Sequence, residues 1–229
     1  MGPSNSLLST KYARFVPLNT PHWIVGCCGI LPVKNTTVLG FQERQKGLTE
    51  DKKKMADLAL SFVKDQSLLF FDVSTLMLEV SQKLTKSVTV YSHSLDNALV
   101  LSGKAGIDFH PLGGRIYSKK RFYYSLHETQ LLQHLQFNLA FFGADSPSHG
   151  AVSYEDDDDV AIKPLSMNAA RTKILLSDTY QYETHSKYIL SKIEDFDYWI
   201  TDKEPDPDLV ESLKDKVTIL YDGKDSDYE

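Results

Sequence analysis

Asp72, Ser74 and Thr75 stand where the apolar run Ser67–Phe71 gives way to a helical pattern, and Ser92-His93-Ser94 follows the next apolar run, Ser87–Tyr91, in the same way. A carboxylate can take hydrogen bonds from sugar hydroxyls or move a proton, and short hydroxyls beside helix amides can hold an anion. A histidine there adds a group that titrates near neutrality. Further along, Leu112-Gly113-Gly114-Arg115 pairs two glycines, which let backbone approach a ligand, with a guanidinium able to clamp a phosphate. Gly143 closes another apolar run, Lys163 lies one turn into an acid-rich helix start, and Asp178 ends the run TKILLS. Together these residues suit the capture of a small anionic molecule.

Each also has an ordinary use. Ser and Thr are the best N-caps, an isolated His is more often structural than catalytic, and Asp is a common turn former. The acid run Glu155–Asp159 reads as a solvated helix start, where negative charge is favoured, rather than as a metal site. Lys163 then reads as the exposed i,i+4 partner of Asp159. No metal, cofactor or catalytic residue is called for.

What would bring the candidates together is their position at strand ends. Helical spacing predicts helices over 50–64, 76–85 and 95–103, with apolar strands SLLFFDV, SVTVYS and IDFHPL beside them. A helix over Tyr124–Leu135, the strand FNLAFFG, a helix over Asp159–Ala170 kinked by Pro164, and the strands TKILLS, FDYWIT and KVTILY follow. Strands apolar throughout are what a parallel sheet covered on both faces requires. The fold class is therefore α/β, three-layered, with a mostly parallel, Rossmann-like sheet. In such a sheet Asp72, Ser92, Gly113, Gly143 and Asp178 converge on one carboxyl edge, where ligands bind. Residues 1–38, with four prolines, read as an irregular N-terminal segment or linker remnant; 39–222 form the domain, and 223–229 a polar tail.

The 229 residues carry a formal charge of -6, which argues against a surface that tracks nucleic-acid phosphates. Cys27 and Cys28 are adjacent and poorly placed for a disulfide, no run approaches a membrane span, and the start lacks the pattern of a signal peptide. These features favour a cytoplasmic protein without a membrane partner.

The order of motifs over about residues 25–203 resembles the C-terminal effector-binding domain of DeoR-type bacterial transcriptional regulators of sugar metabolism. The resemblance rests on a linker-like Cys28-Gly29-Ile30, then Arg44 and Asp51-Lys52, then Asp72-Val73-Ser74-Thr75-Leu76. Ser92-His93-Ser94, Leu112-Gly113-Gly114 and Ala140–Asp145 continue it, followed by Asp159–Lys163, Leu175–Asp178 and Ile200-Thr201-Asp202. Ser74 stands where the family has Gly, Leu76 where it has Thr, and Gln181 where it has Lys. The resemblance implies a fold similar to ribose-5-phosphate isomerases, glucosamine-6-phosphate deaminases and CoA transferases. It further implies a phosphorylated sugar as effector, self-association, and operator DNA read by an N-terminal winged helix-turn-helix for which residues 1–24 are too short. A sugar-phosphate isomerase or deaminase of the same fold, with Asp72 or His93 as acid/base, is the alternative.

Overall fold

The structure, a computed structural model, describes residues 23–26, 29–32, 50–125, 130–144, 150–178 and 186–222. The chain divides into two compact units, Met1–Asn35 and Thr36–Glu229. In the first, β1 (Trp23–Gly26) and β2 (Gly29–Pro32) pair antiparallel, with Gly26 opposite Gly29.

The second unit alternates strand and helix. Helix α1 (Glu50–Ser61) precedes β3 (Leu68–Phe71), α2 (Thr75–Lys83), β4 (Val88–Ser92), α3 (Leu95–Leu101) and β5 (Ile107–Pro111). A two-stranded antiparallel ribbon, β6 (Arg115–Tyr117) and β7 (Phe122–Tyr124), leads on to β8 (Phe137–Gly143). Then come β9 (Ala151–Tyr154), α4 (Asp157–Val160), α5 (Lys163–Asn168) and β10 (Ala170–Leu176). The last elements are β11 (Tyr188–Lys192), which pairs antiparallel with β9, then β12 (Tyr198–Ile200), α6 (Pro207–Leu213) and β13 (Thr218–Leu220).

Seven strands form one parallel sheet in the order β13-β12-β10-β8-β3-β4-β5. Alternation along its strands explains why they are apolar throughout. Phe71, Phe141, Ile174, Leu176 and Ile200 enter a core with Met55, Ala59, Met77 and Val80 of α1 and α2. Their neighbours Phe70, Phe142, Leu175 and Trp199 enter a second core on the other face, with Tyr154, Ile162, Phe196 and Leu213. Both faces are dry, so neither can carry a polar stripe. The three-layer α/β expectation holds.

Two local expectations do not. The helix over Asp159–Ala170 is two short helices, Asp157–Val160 and Lys163–Asn168, because Pro164 lacks an N–H and opens a helix better than it continues one. The helix over Tyr124–Leu135 gives way at its start to β7, whose aromatic run pairs with β6 around a turn where Arg121 adopts a φ of 61°. Residues 126–129 lie outside the description, and helix is seen only at 130–132. Helix α6, opened by Pro207 and capped by Asp206 Oδ1 accepting from Asp208 N at 2.9 Å, was not anticipated.

Sheet order reverses at β3: β4 and β5 extend to one side, β8 and the later strands to the other. The switch point lies between the carboxyl ends of β3 and β8, where crossover connections diverge and leave a crevice. The two ends meet tightly. A Cβ built on Gly143 would overlap the Cβ and Oγ of Ser74. Gly143→Ala is therefore expected to lower the urea midpoint by the equivalent of about 1–3 kcal/mol, as overpacking does. An unchanged midpoint would contradict the close approach.

Candidate functional site

Asp72 follows the last residue of β3, and burying it takes a carboxylate wholly out of water. The surrounding elements supply its partners. Val73 N donates to Oδ1 at 2.7 Å and Gly143 N, at the end of β8, donates to Oδ2 at 3.2 Å. The Tyr154 hydroxyl, at the end of β9, donates to Oδ2 at 3.4 Å. Lys163 Nζ, from the first residue of α5, donates to Oδ1 at 2.5 Å.

Lys163 is fully buried as well. Its ammonium also reaches Asp159 Oδ2 at 3.0 Å and lies 3.7 Å from the centroid of the Tyr154 ring. The i,i+4 pair read from the sequence is thus real but buried, and Asp159 belongs to the interior rather than to a solvated face. This is a correction, and its cause is that α4 and α5 turn their polar side inward onto Asp72. His93, after β4, completes the group: its Nε2 is 2.8 Å from Asp159 Oδ1 and 3.7 Å from Asp72 Oδ1. Since a carboxylate can only accept, Nε2 carries a proton. Nδ1 has no partner among the described residues, and the ring packs between Phe70 and Phe122.

Electrostatics follow from this geometry. Burial pushes the Asp72 carboxyl above its ordinary value despite Lys163 and His93, with the nearby Asp159 charge adding to the rise. Burial pushes Asp159 the same way, but the Lys163 ammonium and the His93 hydrogen bond outweigh it and hold Asp159 at about 2. Burial alone would lower Lys163, yet two carboxylates raise it. Asp72, His93 and Asp159 each offer one metal-ligating atom within 4.8 Å of one another. The Lys163 ammonium already stands between the two carboxylates, so the positive charge a metal would bring is built into the chain.

The hydroxyl residues lie on the same edge with different tasks. Ser74 Oγ caps α2, accepting from Met77 N at 3.0 Å, and Ser94 Oγ caps α3, accepting from Asn97 N at 3.2 Å. Thr75 is buried in the first turn of α2. Ser92 Oγ is buried and accepts from Ser94 N at 3.1 Å. The structure therefore gathers Asp72, Ser74, Thr75, Ser92, His93, Ser94, Gly143 and Lys163 around the ends of β3, β4 and β8.

It places the others apart. At Gly114, with a φ of 118°, a Cβ would overlap the Tyr124 carbonyl, so with Gly113 it shapes the entry to the β6–β7 ribbon. Arg115 is exposed, its guanidinium 5.1 Å from the Tyr117 ring centroid. Asp178, past the end of β10, pairs with Lys52 of α1 at 3.0 Å. Asp145 and Gln181 lie outside the described residues. Sequence reasoning missed Tyr154, hidden in a strand too short to stand out, and Asn97, whose only signal was its place three residues after the cap Ser94.

Lys163→Met leaves two buried carboxylates facing each other and should destabilise the domain by about 3–5 kcal/mol in denaturant titration. A loss below 1 kcal/mol would contradict the buried pairing. Asp159, held below its unfolded value of 3.8, contributes stability above that value that is lost as pH falls from about 4 through about 2. Asp159→Asn should flatten acid unfolding in that window; an unchanged slope would count against the assignment.

Residues 48–203 match the DeoR C terminal sensor domain model. The chain is 27% identical over 198 residues to the HTH-type transcriptional repressor GlcR of Bacillus subtilis, covering 86% of this chain and 77% of that one. It is 26% identical over 182 residues to the lactose phosphotransferase system repressor of Lactococcus lactis, covering 78% and 71%. Among solved structures it is similar to ribose 5 phosphate isomerase A of Neisseria gonorrhoeae, with 15% identity, 60% and 54% coverage and a TM-score of 0.40. No helix among the described residues is long and apolar enough to cross a membrane. With its central domain matched over most of its length, the chain belongs to the DeoR C-terminal sensor family of transcriptional regulators.

Proposed function

We propose that this domain senses a phosphorylated sugar at the carboxyl edge of the sheet and binds it without chemical turnover. The observation that carries the reading is the saturation of Asp72. A general base must present a free lone pair to its substrate, whereas both oxygens of Asp72 are occupied by Val73 N, Gly143 N, Tyr154 and Lys163 in a site closed to water. Lys163 and His93 Nε2 are likewise buried and committed to carboxylates, with His93 Nδ1 turned away from them. The group braces an edge better than it would move protons on a sugar.

What is left for a ligand is the rim, the partly exposed Ser74 at the start of α2, a helix of nine residues with its amides directed to that edge, above the buried turn Ser92–Ser94. Ser74 supplies a neutral hydroxyl donor for a phosphate, while Gly113 and Arg115, its guanidinium over the Tyr117 ring, belong to the β6–β7 ribbon apart from it. Similarity to repressors, including one named for the lactose phosphotransferase system, supports a carbohydrate-linked effector. Operator DNA would be read through an N-terminal helix-turn-helix and not through this acidic domain, with self-association matching a two-fold operator.

Differential scanning fluorimetry across a panel of sugar phosphates should find one that stabilises the protein by roughly 2.7 kcal/mol at a hundredfold excess over Kd. The unphosphorylated sugar should do far less. A panel without a binder would refute the reading. Incubated with the same compounds, wild-type protein should leave them unchanged; isomerisation or deamination lost in Asp72→Asn would establish the enzyme instead.

A further inference from the structure

Asn97, in α3, is fully buried and ties the ends of β3 and β4 to α2. Its Nδ2 donates to the main-chain carbonyl of Asp72 and to Ser92 Oγ, both at 3.1 Å. Its Oδ1 accepts from Ser81 Oγ at 3.1 Å, and its own backbone N–H is the one held by Ser94. A carbonyl can only accept, so the amide nitrogen must face Asp72 and the orientation of the side chain is fixed by chemistry.

The consequence falls on Ser92. A hydroxyl oxygen has two lone pairs, and those of Ser92 are taken by Ser94 N and Asn97 Nδ2. Its proton must therefore point elsewhere as a donor, and it finds no acceptor among the described residues. Phosphate and sugar hydroxyl oxygens are acceptors that such a donor fits.

We propose that Asn97 is a positioning residue for effector binding that acts through Ser92: by filling a lone pair of the buried Ser92 hydroxyl it forces that hydroxyl to donate to an oxygen of the bound sugar phosphate. This inference rests on the sensing reading above. It adds a residue that never touches the ligand and assigns the polarity of one that does.

The test is calorimetric titration of the full chain with ribose 5-phosphate, fructose 6-phosphate, glucose 6-phosphate and glucosamine 6-phosphate, continued with the tightest of them. Asn97→Asp keeps the shape but turns an oxygen toward the Asp72 carbonyl and Ser92, and should weaken binding about tenfold or more. Ser92→Ala should weaken it similarly. Because one acts through the other, the double variant should bind no more than about twofold worse than Ser92→Ala alone. A merely structural Asn97 would instead give losses that multiply, and that result, or wild-type affinity in Asn97→Asp, overturns the proposal. Should Asn97→Asp fail to fold, Ser81→Ala takes its place: it frees the amide to turn and should cost a few-fold in affinity in the wild type and nothing in the Ser92→Ala background. A few-fold loss persisting in that background overturns the proposal. Wild-type protein that binds none of the four compounds refutes the sensing reading and this inference with it, before any variant is made.

Discussion

The ion pair between Asp72 and Lys163 constrains the carboxyl edge of the sheet more than any other contact. A carboxylate and an ammonium removed from water each carry a penalty of several kcal/mol, and only close geometry and filled hydrogen-bonding capacity offset it. Filling that capacity requires an amide from the end of β8, a hydroxyl from β9 and a helix start from α5. Segments distant in sequence thus meet at one place. Asp72 already neutralises the ammonium, so the second carboxylate, Asp159, takes a further Lys163 donor and adds a negative charge that His93 Nε2 meets. The break between α4 and α5 follows from the same demand, since Lys163 must leave the α4 axis to reach β3.

Such a cluster favours a scaffold over a reaction centre. Asp72, Asp159 and Lys163 satisfy one another, whereas a working acid or base keeps one position for the substrate; in this group only His93 Nδ1 is without a partner among the described residues. Above it, the caps Ser74 and Ser94 set the starts of α2 and α3 against the same edge. On the sensing reading proposed above, this floor and polar rim would belong to a receptor that holds a small anion. The Asp96 carboxylate receives Arg121 Nε and Nη2 at 2.9 Å and 2.6 Å, and Tyr123 N donates to the His93 carbonyl at 2.8 Å. The β6–β7 ribbon is therefore fastened to the turn that carries His93.

Much of this was legible in the residues. The strand FNLAFFG was readable to its ends because six apolar or small residues, interrupted only by Asn138, have no other use in a doubly covered sheet. Asp72, His93 and Lys163 stood out by type and place, and the motif order indicated the family. Burial did not. The run EDDDD carries the signature of solvated charge, and nothing local reveals that its last member, Asp159, faces inward onto a lysine one turn away. Short antiparallel pairs such as β9 with β11 were hidden for a related reason: four or five residues give too little periodicity, and their pairing is settled by segments more than thirty residues apart. Asn97 was invisible because its work is to bond main-chain and hydroxyl groups that only the fold brings near.

Native-state hydrogen exchange at the Val73 and Gly143 amides tests the central claim most directly, since both donate to the buried Asp72 carboxylate. If the cluster is a fixed brace, these amides exchange only through global unfolding, with the protection of the central strands, whether or not a sugar phosphate is present. Exchange orders of magnitude faster than in β3 and β8, slowed only when ligand binds, would show a cluster that opens to meet its ligand and would contradict the account.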